Sequence, residues 1–293
     1  METNEILRRV RRIEIKTKAL TNNIFAGEYH SAFKGRGMSF SEVREYQPGD
    51  EVRDIDWNVT ARFGRPYVKV YEEERELTVV LLIDVSASLD FGTDIRTQRE
   101  TMTEIAATLA FSAIQNNDKI GVVFFSDRIE KFIPPKKGRK HILYIIRELI
   151  DFKPSHDRTN IETGVEFLTK AISRRCISFL ISDFFDSNIE NLSKILSIAN
   201  KKHDLVAIQI YDKRMVEIPN VGLMKFIDAE TGHEEYLDTS SKKVRTAYTQ
   251  WWREAQEKLY STLQKSGVDY TSISTGEDYV QALMALFNKR IRF

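Results

Sequence analysis

One cysteine, Cys176, is all that the 293 residues contain. An internal disulfide is therefore excluded, and so is a zinc site built on several thiolates. Cys176 opens an apolar run, Ile177 to Ile181, which makes it a packing residue rather than a reactive one. No apolar stretch approaches membrane-spanning length, and the N-terminus lacks a secretory apolar core. The expected compartment is the cytoplasm, with no membrane insertion. Neither charge sign dominates: the formal net charge is +1 with 30% charged residues. That composition argues for an ordinary globular protein and against bulk nucleic-acid binding. Low-complexity segments and internal repeats are absent. So are the G-x-S-x-G elbow, the phosphate-cradling G-K-[ST] loop and H-E-x-x-H. The five histidines, His30, His141, His156, His203 and His233, are scattered.

Against that background, Leu81-Leu82-Ile83-Asp84-Val85-Ser86-Ala87-Ser88 stands out. Val79 to Ile83 reads as a buried parallel strand. It ends at a carboxylate followed by hydroxyls at alternate positions. In an open α/β sheet, ligands bind beyond the carboxyl ends of strands. One carboxylate and two neutral hydroxyls suit a small, hard cation that keeps open coordination positions. The alternative is a helix-capping Asp with loop serines. Thr93 or Asp94 is better placed to cap the helix expected from about Ile95 to Gln115.

From Leu77 onward, strand and helix patterns alternate. Strands are expected at 78–83, 119–125, 129–133, 177–181, 205–210 and 268–273. Helices are expected at 140–150, 161–173, 189–200, 242–264 and 278–289. In the long helix Val244, Tyr248, Trp251, Ala255 and Leu259 should face inward. Segments 222–228 and 233–237 suggest an inserted hairpin. Ser126-Asp127-Arg128 separates two short runs as a hairpin turn does, so one edge strand should be antiparallel. The alternation predicts a three-layer α/β domain over 78–293, with a mostly parallel sheet and helices on both faces.

Two further polar sites fall at strand or helix boundaries. Asp183 follows the strand 177–181 through Ser182, while Ser187-Asn188-Ile189-Glu190 offers a separate capping box for the next helix. Thr159-Asn160-Ile161-Glu162 matches a capping box itself. Either Thr159 or Asn160 can cap, and Thr159 is free only if Asn160 does.

Upstream, residues 1–26 hold a basic amphipathic helix, with Ile6, Val10, Ile13, Thr17 and Leu20 at helical spacing. Residues 27–77 form a small β-rich unit rich in aromatics and both charge signs. Gln47-Pro48-Gly49-Asp50 fits a type II turn. Eight bases against eleven acids from Gly27 to Leu77 favour a salt-bridged face over a nucleic-acid surface.

Asp84-x-Ser86-x-Ser88, Thr159 and Ser182-Asp183, in that order, resemble the metal-ion-dependent adhesion site of von Willebrand factor type A domains. The segments Gly35-Arg36-Gly37-Met38-Ser39-Phe40, Val43 to Asp50, Arg53-Asp54-Ile55-Asp56-Trp57 and Ala61 to Lys69 are more specific. They resemble the block that precedes such a domain in bacterial domain-of-unknown-function family 58. The resemblance implies that Asp84, Ser86, Ser88, Thr159 and Asp183 ring a cation, Mg²⁺ or Mn²⁺, at the sheet's carboxyl-end crest. It implies a protein-interaction module and no enzymatic activity. The family's frequent company with MoxR-type AAA+ ATPases implies an adaptor or co-chaperone role beside one. The alternative from another class is a Mg-dependent phosphatase or nuclease using Asp84 and Asp183. It is weakened by Ser86, which stands where a second carboxylate is needed. A third possibility is a site that holds its carboxylates by protein hydrogen bonds alone.

Overall fold

The computed structural model describes residues 11, 13, 29, 38–73, 77–92, 97–156, 158–185, 189, 192–227 and 233–291. The N-terminal helix expected over 5–20 and the capping box at 187–190 lie largely outside them. The chain divides into two units: Phe33–Leu77, and Thr78–Phe293 together with Met1–Ala32.

The smaller unit pairs β1 (Met38–Glu45) antiparallel with β2 (Tyr67–Glu73), with a register shift between Phe40 and Glu42. Between them lie a short 3₁₀ turn, Val52–Asp54, and helix α1, Trp57–Phe63. Asp56 caps α1 by accepting the N–H groups of Asn58 and Val59, and Gly64 ends it at a φ of 69°. The turn at 47–50 forms as its residues dictate. Asp50 N–H donates to the Gln47 carbonyl at 3.0 Å, and Gly49 takes a φ of 114°. Arg44 grips Asp50 through two bonds of 2.7 Å, and Arg65 and Lys69 pair with Glu45 and Asp56. Three ion pairs of this segment thus form within it.

The larger unit is built on a six-stranded sheet in the order β10-β7-β6-β3-β4-β5. Its strands are β3 (Thr78–Asp84), β4 (Lys119–Phe125), β5 (Ile129–Lys136), β6 (Ile177–Ser182), β7 (Asp204–Tyr211) and β10 (Asp269–Ser274). Every pairing is parallel except that of β4 with the edge strand β5. Strands β8 (Leu223–Ile227) and β9 (Glu234–Asp238) form the separate inserted hairpin.

Because side chains alternate along a strand, each central strand serves two cores. On one face Val80, Leu82, Val123, Phe125 and Leu180 pack against α4 (Ile161–Ala171), α5 (Leu192–Lys202) and α7 (Lys242–Lys265). The other face is covered by α2 (Gln98–Gln115), α3 (Arg139–Asp151) and α8 (Tyr279–Ile291). There the buried ring of Tyr29 lies 5.7 Å from Phe287 and 6.5 Å from Phe179. A short helix, α6 (Lys213–Val216), follows β7. The result is the expected three-layer α/β arrangement.

Helices α2 and α7 differ in detail from the sequence reading. Helix α2 starts at Gln98, and its cap is Thr97, which forms a reciprocal capping box with Glu100. In α7 the inward tryptophan is Trp252, while Trp251 is 49% exposed. Trp252 lies seven residues before Leu259, two turns along the same face, so the helical period favours it.

Candidate functional site

Strand β3 ends at Asp84, and the chain then climbs over the carboxyl edge of the sheet. Val85 N–H donates to the Phe125 carbonyl at 2.9 Å, which keeps this loop beside the end of β4. Asp84 is fully buried. Its Oδ1 accepts the Ser86 N–H at 2.9 Å, and its Oδ2 accepts the Ser182 hydroxyl at 2.6 Å. The hydroxyls of Ser86 and Ser88 lie 3.0 Å apart. A 3₁₀ turn over Ala87–Asp90 follows, with Leu89 buried beneath it.

Burial raises the pKa of Asp84, because a carboxylate loses hydration there. The bonds from Ser182 and Ser86 and the positive charge of Arg99 work in the opposite direction. Asp84 is thus a buried acid whose charge is only partly compensated by its protein neighbours. A nearby cation would complete that compensation.

Asp183 follows directly from β6 and is also buried. Its Oδ1 accepts the Phe185 N–H at 3.1 Å, and its backbone carbonyl accepts from Gln209 Nε2 at 3.2 Å. Ser182 joins the two acids: it donates to Asp84 and accepts the Phe184 N–H at 2.9 Å. Phe184 turns back into the core with a φ of 58°.

Thr159 arrives from a third direction. Asn160 N–H donates to the Ser126 carbonyl at 3.1 Å, and Ser126 follows Phe125, the ladder partner of Asp84. Thr159 therefore stands at the same end of the sheet. The capping ambiguity is resolved at atomic level, because the Asn160 side chain accepts the Thr163 N–H. Thr159 Oγ1 is left buried with no hydrogen-bond partner. A buried oxygen of that kind costs free energy unless something satisfies it.

The loop that carries Thr159 is held by a network the sequence did not announce. Glu130 accepts from Ser126 and from Ser155, both at 2.9 Å, and His156 pairs with Asp127 at 3.0 Å. Ser182 was missed as the partner of Asp84, although a hydroxyl at a strand end beside an acid was a visible signal. The positive φ of Phe184 had no signal in the sequence.

The donor set is all oxygen: two carboxylates and three hydroxyls. It fits a hard divalent cation and offers a soft one little. Among the described residues, no group of three or more His, Cys, Asp or Glu side chains is arranged to hold a metal. The hydroxyls would therefore have to supply most of the ligands here.

Apart from His156, whose pair with Asp127 holds the Thr159 loop, two further described histidines make contacts of their own. His141 contacts the Ile120 carbonyl at 2.9 Å, and His203 Nδ1 lies 3.3 Å from Cys176 Sγ. Burial pushes the Cys176 thiol up to about 12 and the His203 imidazole down to about 4. At neutral pH that pair is a neutral thiol beside a neutral imidazole, without a thiolate nucleophile. No helix in the described residues is long and apolar enough to cross a membrane.

Comparison with known proteins places these features in context. The family described as "Protein of unknown function DUF58" matches residues 42–258. An uncharacterised protein of Mycobacterium tuberculosis, Rv1480, is 29% identical over 287 residues, covering 97% of this chain and 89% of that one. Among solved structures, BatB from Bacteroides thetaiotaomicron is similar over 74% of this chain and all of its own, with 13% identity and a TM-score of 0.48. A von Willebrand factor type A protein from Catenulispora acidiphila is similar over 77% of this chain and 44% of its own, with 11% identity and a TM-score of 0.45.

Proposed function

The chain belongs to the DUF58 family, and from that premise we propose that it is a metal-dependent protein-interaction module without turnover of its own. Asp84, Ser86, Ser88, Thr159 and Asp183 would hold Mg²⁺ or Mn²⁺ at the carboxyl edge of the sheet. When bound, the cation supplies a positive centre with positions open to an oxygen ligand from outside. The carboxylate of a partner Asp or Glu fits that centre. Asp84 and Asp183 supply the negative charge, Ser182 orients Asp84, and Ser86 and Ser88 present their hydroxyls side by side.

The observation that carries this reading is the Thr159 hydroxyl oxygen, buried and unpartnered at the sheet end that holds the buried carboxylate of Asp84. Helix capping accounts for Asn160 and leaves Thr159 unexplained. An adaptor or co-chaperone role in the cytoplasm beside a MoxR-type AAA+ ATPase belongs to the same proposal and follows from the family resemblance alone.

Thermal unfolding tests the metal. A ligand present at one hundred times its dissociation constant stabilises the folded state by about 2.7 kcal/mol. For a domain of this size that raises Tm by about 5–10 °C. Mg²⁺ should produce such a rise over EDTA in the wild type and none in Asp84→Ala or Asp84→Asn. A wild-type Tm that ignores both Mg²⁺ and EDTA would sink the reading. Mg²⁺- or Mn²⁺-dependent phosphatase or nuclease turnover, lost in Asp84→Ala, would replace it with the hydrolase. Pull-down from native lysate in Mg²⁺ and in EDTA tests the ATPase.

A further inference from the structure

Phe185 leaves the crest in an unusual company of rings. Its ring centroid lies 5.3 Å from Trp252, which is buried, and 6.1 Å from Trp251. Trp251 lies in turn 5.5 Å from Tyr248. Trp252 seats the group in the core, and Trp251 brings it to the surface with half of its area exposed. On the helix surface the residues three and four positions from Trp251 are Ala247, Tyr248, Glu254 and Ala255, with the polar Gln250 and Arg253 beside them in the sequence. A half-exposed tryptophan held on a rigid helix and backed by a buried one is the anatomy of a binding hot spot.

The shelf is coupled to the crest through the backbone. Phe185 N–H donates to Asp183 Oδ1, so the residue that carries the ring also fixes a proposed cation ligand. The left-handed turn at Phe184 sends that ring into the core and leaves its neighbour Phe185 half-buried against Trp251. Asp183 and Phe185 are two residues apart, which is at most about 7 Å of chain. A side chain one or two residues from a carboxylate at the crest spans a similar length of chain.

We propose that Phe185, Trp251 and Tyr248 form the specificity-determining part of the interface. They accept a large aliphatic or aromatic side chain one or two residues from the partner's acidic residue. The partner is thus an acidic segment with an adjacent bulky apolar residue, rather than any exposed carboxylate. This inference rests on the metal-dependent reading of the crest.

The test is a random-peptide phage library panned on the full chain in Mg²⁺ and eluted with EDTA. Parallel pannings use Trp251→Ala and Trp251→Gln, whose exposed site tolerates change and whose fold is checked by Tm. Wild type should select an acid with a large apolar residue at one or two positions' distance. The variants should keep the acid and lose the apolar preference, and a synthetic consensus peptide should bind them about tenfold more weakly. Selection of an acid alone by the wild type, or of the same pair by the variants, overturns the shelf and leaves the metal reading standing. A wild-type panning that yields no acidic, EDTA-eluted clones overturns the metal reading, and the shelf with it.

Discussion

Phe184 is the residue that the crest strains to hold. L-residues avoid φ near 58° because Cβ crowds the carbonyl oxygen, at a cost of about 1–2 kcal/mol. Two things offset that cost. The Ser182 hydroxyl accepts the Phe184 N–H, and the ring is buried in the core beside Leu180, Leu192 and Leu196. The balance can be measured. Phe184→Ala keeps the strain and empties the site, so urea unfolding should show a loss of about 3–5 kcal/mol. Phe184→Gly empties the same site and relieves the strain. It should therefore be milder than Ala by about 1 kcal/mol, the reverse of the usual ranking. Ala the better tolerated of the two would mean that the left-handed turn carries no strain. Sequence reading had no access to this. Phe184-Phe185 reads as two apolar residues after a strand, and only the fold sends one into the core and the other to a surface shelf.

At the scale of elements, helix α4 decides where Thr159 stands, and one glycine decides how close α4 lies to the sheet. A Cβ on Gly164 would come within 2.9 Å of the Phe125 ring. Phe125 is fully buried and pairs with Asp84 across the ladder, so its ring has little room to yield. Gly→Ala inside a helix ordinarily gains up to about 1 kcal/mol. Here overpacking should cost about 1–3 kcal/mol and prevail. Gly164→Ala should lower stability by about 1 kcal/mol. It should also weaken the Mg²⁺-induced rise in Tm, because α4 must back away with Thr159 at its N-terminus. A net gain in stability would show that the Phe125 ring gives way. The elements themselves were largely legible. Strands buried on both faces left continuous apolar runs, and the hairpin at Ser126-Asp127-Arg128 announced the antiparallel edge. Boundaries were less so: Thr97-x-x-Glu100 is as clear a capping box as any, but Ile95 suggested an earlier start. In α7 the period counted from Leu259 points to Trp252, and its packing against Phe185 and Tyr211 accords with that, although the adjacent Trp251 continues the spacing of Val244 and Tyr248. The five crest residues were legible as types in order. Their mutual bonding was not, because Ser182 and Ser126 act through contacts between distant segments.

At the scale of the larger unit, the two ends of the sheet do different work. The carboxyl end carries strain, buried acids and an unsatisfied hydroxyl. The amino end carries a compensated charge cluster. Arg290 of α8 is buried and makes two bonds of 2.6 and 2.7 Å to Asp204, the first residue of β7. It makes another of 2.6 Å to Asp269, the first residue of β10. Tyr29 lies close enough for Asp118 and Asp204 to add to the burial that raises its phenol pKa. In the sequence Lys289-Arg290 reads as ordinary positive charge at a helix C-terminus, and nothing there marks Arg290 as the clamp. Removing one partner of a buried pair strands the other's charge, so Arg290→Met should cost about 3–5 kcal/mol in urea unfolding. Arg290→Lys should recover only part of this, since an ammonium cannot reproduce the forked contacts. Because the clamp lies at the opposite end of the strands from Asp84, the Mg²⁺-induced rise in Tm should survive in Arg290→Lys at its wild-type size. A rise that shrinks with the clamp would mean that α8 and the crest form one coupled switch, in which the amino end of the sheet sets how well the carboxyl end binds.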